Sequence, residues 1–415
     1  KVVAEGYRDN DDATTTTTTT GPADMLYPAF SVTKSWTSMI IGLLVDSGRI
    51  NLTSTTLGDI FPPSVWRGDT DSDNGNGSDN IVDSIDKRTL TVHEILTMSS
   101  GLTETTGDVF VDDGSFVAPQ QQDTAVDVLN ATTFDATNRG TFEYLATNHI
   151  LARIIEYASA EGTEQTLRGV AADLLSRGLG LKDGVDFVWD TFGGIEGSAY
   201  GLNTNPRTLA KLGQLYLQQG MTMTMGGTLD ASTASPSSLL SSEWVTASTT
   251  NQLEPGQVPG DVAAIFPGYG YQWYTNDVDG SFAAIGAGGQ LVFVDPNTET
   301  VMTVMTTGFE TPQALFAASV EAFQLLFLAL DNLDSIVEDG SCLSSTNDTN
   351  GGGGGNANSS EPPSLEPEIE TETESITDDA DLVDDGEESS AASLLLLRTS
   401  SQLGTTVLLV YSMVL

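Results

Sequence analysis

Two Ser-x-x-Lys quartets stand in this chain, Ser31-Val32-Thr33-Lys34 and Ser84-Ile85-Asp86-Lys87. A serine and a lysine three residues apart on a helix share one face. An amine held there, shielded from water, can take the hydroxyl proton and free the oxygen to attack a carbonyl. Context separates the two quartets. Ser31 follows Phe30 and opens a run in which Met39, Ile40, Leu43 and Leu44 recur at helical spacing until Ser47-Gly48. The apolar face of that helix would bury the pair, and its N-terminus would aim backbone N–H groups at a developing oxyanion. Ser84 lies instead in the acidic Asn/Gly/Ser loop at 69–86, where neither condition holds. Taken by itself, the pattern around Ser31 fits a plain helix N-cap at least as well.

Other chemistries are weaker. Gly-x-Ser-x-Gly occurs nowhere, so the serine elbow of α/β-hydrolases is missing. A Ser-His-Asp triad would draw on His93 or His149, each inside a helix-like segment where a capping or core-edge role is simpler. With two histidines, one cysteine (Cys342) and no Cys-x-x-Cys, a zinc or haem site is nearly excluded. Asp69-x-Asp71-x-Asp73 has the spacing of a calcium loop, but Asn74 stands at its glycine position and Asn80 at its closing glutamate. No metal or cofactor is therefore expected. Charge narrows the partners further. The 415 residues hold 58 Asp+Glu against 15 Lys+Arg, a formal charge of -43. That argues against nucleic acid and anionic membrane surfaces, since phosphate binding needs clustered cations.

The elements that must position Ser31 and Lys34 follow from pattern. Residues 1–7 read as a strand, 31–46 as the helix just described, and 90–98 as a short helix closed by Ser99-Ser100-Gly101. Residues 142–158 and 208–219 are two further amphipathic helices. After Pro267 strands dominate, at 269–275, 282–294 and 300–306, with Asp295-Pro296-Asn297 as a turn, before a long apolar helix at 311–330. Strand, helices, strands, helix is not the regular alternation of a parallel sheet. The order implies an α+β fold: an antiparallel sheet from both chain ends, flanked by helices, with a mostly helical insert. This domain should fill 1–335. Residues 336–390 turn Gly/Ser-rich and then acidic, with 13 carboxylates between Glu361 and Glu388. They hold too few apolar groups to fold and read as a stalk. Residues 391–415 read as a hydrophobic tail.

The run SVTKSWTSMIIGLLVDSGRINLTSTTLGDIFP, from Ser31, resembles the nucleophile segment of the serine β-lactamase-related hydrolases. That superfamily holds class C β-lactamases, penicillin-binding D,D-peptidases, esterases and 6-aminohexanoate-dimer hydrolase, and its β-lactamase/transpeptidase-like fold is the one implied. TVHEILTMSSGL, from Thr91, is similar to the short helix that follows there, and GTFEYLATNHILARIIE, from Gly140, to the segment with the catalytic tyrosine. YGLNTNPRTLAKLGQLYLQQG, LLSSEWV and YGYQWY come next in the family's order, and GAGGQLVFVDP, from Gly286, ends on the expected strand. Gly-Gln before that strand and the YGYQW run resemble most the 6-aminohexanoate-dimer hydrolase and esterase branch.

The resemblance implies roles residue by residue. Ser31 would be the acylated nucleophile, Lys34 its general-base partner and Tyr144 a second proton carrier. The oxyanion hole would combine the Ser31 N–H with one from the strand at Gly289–Gln290, so that Gly288, Gly289 and Gln290 would line the substrate. Two departures stand out. Ala146 occupies the position two after the tyrosine where the family has Asn or Ser, and Ala287-Gly288-Gly289 fills a motif that usually starts with Lys or His. Both remove polar groups that hold a substrate's amide or carboxylate, which argues against efficient β-lactam hydrolysis. The expectation is a serine hydrolase that cleaves a small ester or amide through an acyl-enzyme. A D,D-peptidase or β-lactamase is the second reading, and a catalytically inactive surface binding protein the third.

Location is read from the ends. The chain opens at Lys1 directly in a strand-like run, as a fragment with any signal peptide upstream would. Asn-x-Ser/Thr sequons at Asn51, Asn76, Asn130, Asn347 and Asn358 suit a secreted glycoprotein. Small residues at 389–392, a spacer with Arg398 and apolar 407–415 supply the parts of a glycolipid (GPI) anchor signal. The run from Leu394 is too broken by polar residues for the roughly 20 apolar positions of a spanning helix. Membrane contact would then run through this tail alone, at the cell surface.

Overall fold

Alternating apolar residues after Pro267 build the main sheet. The computed structural model describes residues 2–8, 24–61, 86–104, 109–110, 116–117, 129, 132–144, 149–159, 166–192, 195–224, 235–306 and 406–412. Seven of its strands form one sheet: β1 (Val2–Arg8), β2 (Gly268–Tyr269), β3 (Tyr274–Thr275), β4 (Phe282–Gly286), β5 (Gln290–Asp295), β6 (Thr300–Thr306) and β7 (Thr406–Ser412). Their order is β1-β7-β6-β5-β4-β3-β2, with every pair antiparallel. Successive side chains of a strand point to opposite faces, and β5 shows it. Val292 and Val294 join the main core, while Leu291 and Phe293 pack with Phe266, Met302 and Val304 in a second cluster. Both faces are covered, which is why 282–294 and 300–306 read as nearly continuous apolar runs.

The described helices are α1 (Thr33–Asp46), α2 (Leu57–Ile60), α3 (Val92–Leu96), α4 (His149–Ser159), α5 (Leu167–Leu179), α6 (Pro206–Leu217) and α7 (Ser242–Ser248). Their starts are written in the sequence. Thr91 and Glu94 close a capping box on α3, Asn205 accepts from Thr208 N at the start of α6 with Pro206 behind it, and Ser241 accepts from Trp244 N on α7. The α1 helix differs from the rest. Every residue from Thr33 to Gly42 is buried, so its first ten residues run through the core, and the helix meets solvent only in its last turn.

The α+β architecture, with strands from both chain ends, is the one expected. Four local readings change. The strand read at 282–294 is two, β4 and β5, paired antiparallel across the turn Ala287–Gly289. In the segment 142–158 the described helix is His149–Ser159, and 142–144 are not helical: Phe142 N donates to Gln257 Oε1 and Glu143 N to Met98 O, so these amides serve other elements and Tyr144 stands on irregular chain. The run 269–275 is interrupted: Gln272 takes a φ of 64° between β2 and β3. The fourth concerns the hydrophobic tail read at 391–415. Its stretch Thr406–Ser412 is an inner strand, paired with β1 on one side and β6 on the other, and contacts group Gln402–Leu415 with Lys1–Leu343, apart from Ser344–Ser401. A β-rich apolar segment flanked by threonines fits a strand slot as well as it fits an anchor signal. The expected helix at 311–330, the stalk, the calcium-like loop, Ser84, Ala146 and Cys342 lie outside the described residues.

Candidate active site

The nucleophile quartet sits where the chain enters α1. Phe30, Ser31 and Val32 form one 3-10 turn that runs directly into the helix. Phe30 holds a φ of 44°, a left-handed conformation that a bulky residue rarely adopts and that concentrates at functional sites. The turn leaves Ser31 part-exposed, while one helical turn later Lys34 is only 2% exposed. Lys34 Nζ donates to Ser31 Oγ at 2.9 Å and to the Ala199 carbonyl at 3.1 Å. No ion pair joins Lys34 to a carboxylate among the described residues. The second quartet is a different object. Lys87 is buried and donates to the carbonyls of Leu129 and Thr132, a structural clamp between backbone segments.

A core helix that carries Thr33, Ser35, Thr37 and Ser38 must satisfy each hydroxyl, because an unpartnered buried polar group costs about 1–3 kcal/mol. Here each is used to fasten α1. Ser35 Oγ donates to Gln272 O at 2.6 Å, Ser38 Oγ to Tyr271 O at 2.7 Å and Thr37 Oγ1 to Ser198 O at 2.8 Å, while Thr33 Oγ1 accepts from Leu202 N at 3.2 Å. The neighbours of these hydroxyls are the YGYQW and YGLNT runs, so the segments of the sequence pattern meet around α1. The Ser198 and Ala199 carbonyls, one of which directs Lys34, carry no side-chain signature that sequence reading could have found.

Strand β4 completes the other wall. A Cβ built on Gly286 would lie 2.7 Å from Ala29 O and 3.2 Å from Ser31 N. Only glycine lets the end of β4 come this close to the nucleophile turn. Ala287-Gly288-Gly289 then forms a single turn into β5, with φ of 75° and 84° at the two glycines. Of the residues expected to line the substrate, Gln290 turns its side chain away from the site. Its side chain is fully buried, donating Nε2 to Thr306 O at 2.7 Å and accepting from Thr306 N at 3.1 Å. Gly288 is tied to the same strand, its carbonyl accepting from the Thr306 hydroxyl. The residue against Ser31 is Gly286, which the glycine-rich GAGGQ run contained but did not single out.

Tyr144 reaches the pair from the third side. Lys34 Nζ lies 4.9 Å from its ring centroid, over the ring face. Its hydroxyl makes no hydrogen bond to a described residue, and the side chain is 40% exposed. Two more tyrosines stand behind it. Tyr274 stacks on Tyr144 with ring centroids 6.5 Å apart, and Tyr269 meets Tyr274 edge-on at 5.0 Å. Burial first, and the neighbouring Tyr144 second, push the Tyr269 and Tyr274 hydroxyls well above the ordinary tyrosine range. Neither can act as a base near neutral pH. His93 points elsewhere, its Nδ1 3.2 Å from the Tyr271 hydroxyl, so no triad forms around it. Among the described residues, no group of three or more His, Cys, Asp and Glu could hold a metal ion.

The family model for Beta-lactamase matches residues 1–326. The chain belongs to the beta-lactamase family. Membership makes serine hydrolase its general class and accounts for the ordered segments seen in the sequence. Among solved structures, one from Bacillus anthracis, provisionally assigned as a 6-aminohexanoate-dimer hydrolase, is similar at 18% identity with a TM-score of 0.53, over 75% of this chain and 74% of that one. At this identity the likeness shows the fold. A Bacteroides dorei protein provisionally assigned as a beta-lactamase matches over 70% of this chain and 80% of its own, at 17% identity and a TM-score of 0.47. Among curated proteins none matches the chain.

Proposed function

We propose that this beta-lactamase-family chain cleaves a small ester or amide through an acyl-enzyme on Ser31. The observation that carries the reading is the 2.9 Å hydrogen bond between Lys34 Nζ and Ser31 Oγ at the entrance of a core helix. With Lys34 neutral, the Ser31 proton passes to Nζ while Oγ attacks the substrate carbonyl carbon. The carbonyl oxygen, now an anion, settles between the Ser31 N–H and the amide following Gly286, that of Ala287. The first N–H groups of a helical turn have no partner within it and are free to serve. The proton moves on through Tyr144 to the leaving group as its bond to the acyl carbon breaks. Water then gives a proton to the pair as its oxygen attacks the acyl carbon, the Ser31 Oγ–acyl bond breaks, and Oγ takes that proton back as the acid leaves. Tyr144 must turn its hydroxyl toward Ser31 for this step, and its exposure on irregular chain gives it room.

The substrate's acyl group is neutral in this reading. Basic side chains of nearby elements are engaged elsewhere, Lys87 with Leu129 and Thr132, Arg139 with Glu94 and Arg207 with Asp24, and Ala287 stands where the family pattern carries a polar residue. p-Nitrophenyl acetate turnover tests both points. Ser31→Ala should lower it on the order of 10³-fold or more, and nitrocefin should be hydrolysed far more slowly than the ester. Full activity in Ser31→Ala would end the proposal, and nitrocefin turnover equal to the ester's would overturn the neutral-acyl assignment.

A further inference from the structure

The loop QLEPGQVPG, from Gln252, repeats Pro-Gly on both sides of one dipeptide, Gln257-Val258. Pro255-Gly256 forms a turn, and Gly256 and Gly260 take φ of 82° and 73°, so a glycine-permitted backbone conformation flanks the dipeptide on each side. Its two side chains grip one segment. Val258 is buried in a cluster with Met98, Phe142 and Tyr269, against which Tyr274 also packs. Gln257 uses both ends of its amide: Oε1 accepts from Phe142 N at 2.9 Å and Nε2 donates to Gly140 O at 3.3 Å. The gripped segment enters Tyr144 two residues later. On its far side Gly140 N donates to Ser99 O and Glu143 N to Met98 O.

We propose that Gln257 is a positioning residue for Tyr144, setting where that ring stands over Lys34. The inference rests on the reading of Tyr144 as a proton carrier. Residues 142–144 have no helix or strand to hold them, and Tyr144 makes no hydrogen bond of its own to a described residue. Its ring packs on Tyr274, and its backbone follows directly from the clipped segment before it. The Gln257 amide is the side chain that fixes that backbone from the loop side. A displacement on the scale of an ångström at a reacting group can cost about 10²-fold in rate. A loosened clip should therefore appear in kcat and leave KM nearly unchanged.

The test uses the full chain and p-nitrophenyl acetate. Gln257→Ala is expected to lower kcat about tenfold with KM within about twofold. On a Tyr144→Phe background the same substitution should change kcat less than twofold, because residues acting through one group are not additive. Gln257→Glu keeps the acceptor for Phe142 N and loses the donor to Gly140 O. Its kcat, divided by wild type, should rise as pH falls through the carboxyl range and the side chain regains a proton to donate. Equal Gln257→Ala losses on both backgrounds, or a flat Gln257→Glu ratio, would overturn the proposal and mark Gln257 as structural. If instead Tyr144→Phe itself keeps full activity, the reading of Tyr144 fails, and that result is read independently of Gln257.

Discussion

The two sides of the active site are built differently. On the nucleophile side, α1 is buried at every position from Thr33 to Gly42 and fastened by four side-chain hydrogen bonds to two other stretches of chain, 198–202 and 271–272. Ser31 and Lys34 can hardly move without disturbing the core. On the opposite side, Tyr144 stands on irregular chain, 40% exposed, held through its neighbours by a few bonds from Met98, Ser99 and Gln257. The contrast teaches where variation can enter. A group fixed by core packing is preorganised and costly to alter, whereas one held by loops sits at the low-stability end of the structure and can be retuned.

The sharpest way to break the contrast is at the tyrosine. Tyr144→Phe should cost on the order of 10² in kcat, the usual scale for loss of a proton carrier, while the thermal midpoint stays unchanged because the hydroxyl bonds to no described residue. Single-turnover kinetics on p-nitrophenyl acetate measures it. A change below about threefold would leave Lys34 as the sole base and make the loop side irrelevant to chemistry.

The same contrast explains what the sequence disclosed. Ser31, Lys34 and their helix were legible because spacing and apolar period are local properties, and the cap residues Thr91, Asn205 and Ser241 mark helix starts directly. Tyr144 is legible through its place in an ordered series of segments, but periodicity puts it in a helix, whereas 142–144 are not helical. Local periodicity does not reveal that Phe142 and Glu143 give their amides to Gln257 and Met98. Gly286 and the carbonyls of Ser198 and Ala199 act by backbone position alone, so no residue type announces them. For β7, an apolar run beside an acidic stretch fits an anchor signal and an inner strand equally, and pairing across 99 residues from β6 leaves no local trace.

A smaller effect tests the fastening of α1. Ser35→Ala and Ser38→Ala would each leave a buried carbonyl, Gln272 O or Tyr271 O, without its donor. Each should lower stability by about 1–3 kcal/mol, read from chemical denaturation. The counterpart on the loop side is Thr103, whose hydroxyl donates to Glu143 at 3.2 Å in a part-buried setting. Thr103→Ala should stay within about 0.5 kcal/mol, as substitutions away from buried networks do. Equal losses on both sides would erase the distinction.

The smallest expected effect is a pH dependence that belongs to the nucleophile side alone. His93 lies under α1, with its ring edge-on to Tyr271 at 5.5 Å and Nδ1 3.2 Å from the Tyr271 hydroxyl. Tyr271 is the same residue whose carbonyl holds Ser38. Burial disfavours the imidazolium and draws His93 below its ordinary 6.5, and the adjacent Glu94 carboxylate opposes this without reversing it. A histidine with a depressed folded pKa binds protons more readily when unfolded, so stability is full above about 6.5 and falls as pH drops toward the folded value. Glu94 is a separate limb. Burial raises its carboxyl, but hydrogen bonds from Arg139 and Thr91 outweigh that and leave it lowered. Its contribution is lost only below the ordinary carboxyl range, as pH falls through the folded value. Melting curves between pH 8 and pH 5 should therefore show wild type losing stability relative to His93→Gln as pH falls, with Glu94 silent over that span. Parallel curves for the two proteins would show that the proton meets no cost at this site, and that the contact between His93 and Tyr271 does not transmit to the helix that carries Ser31.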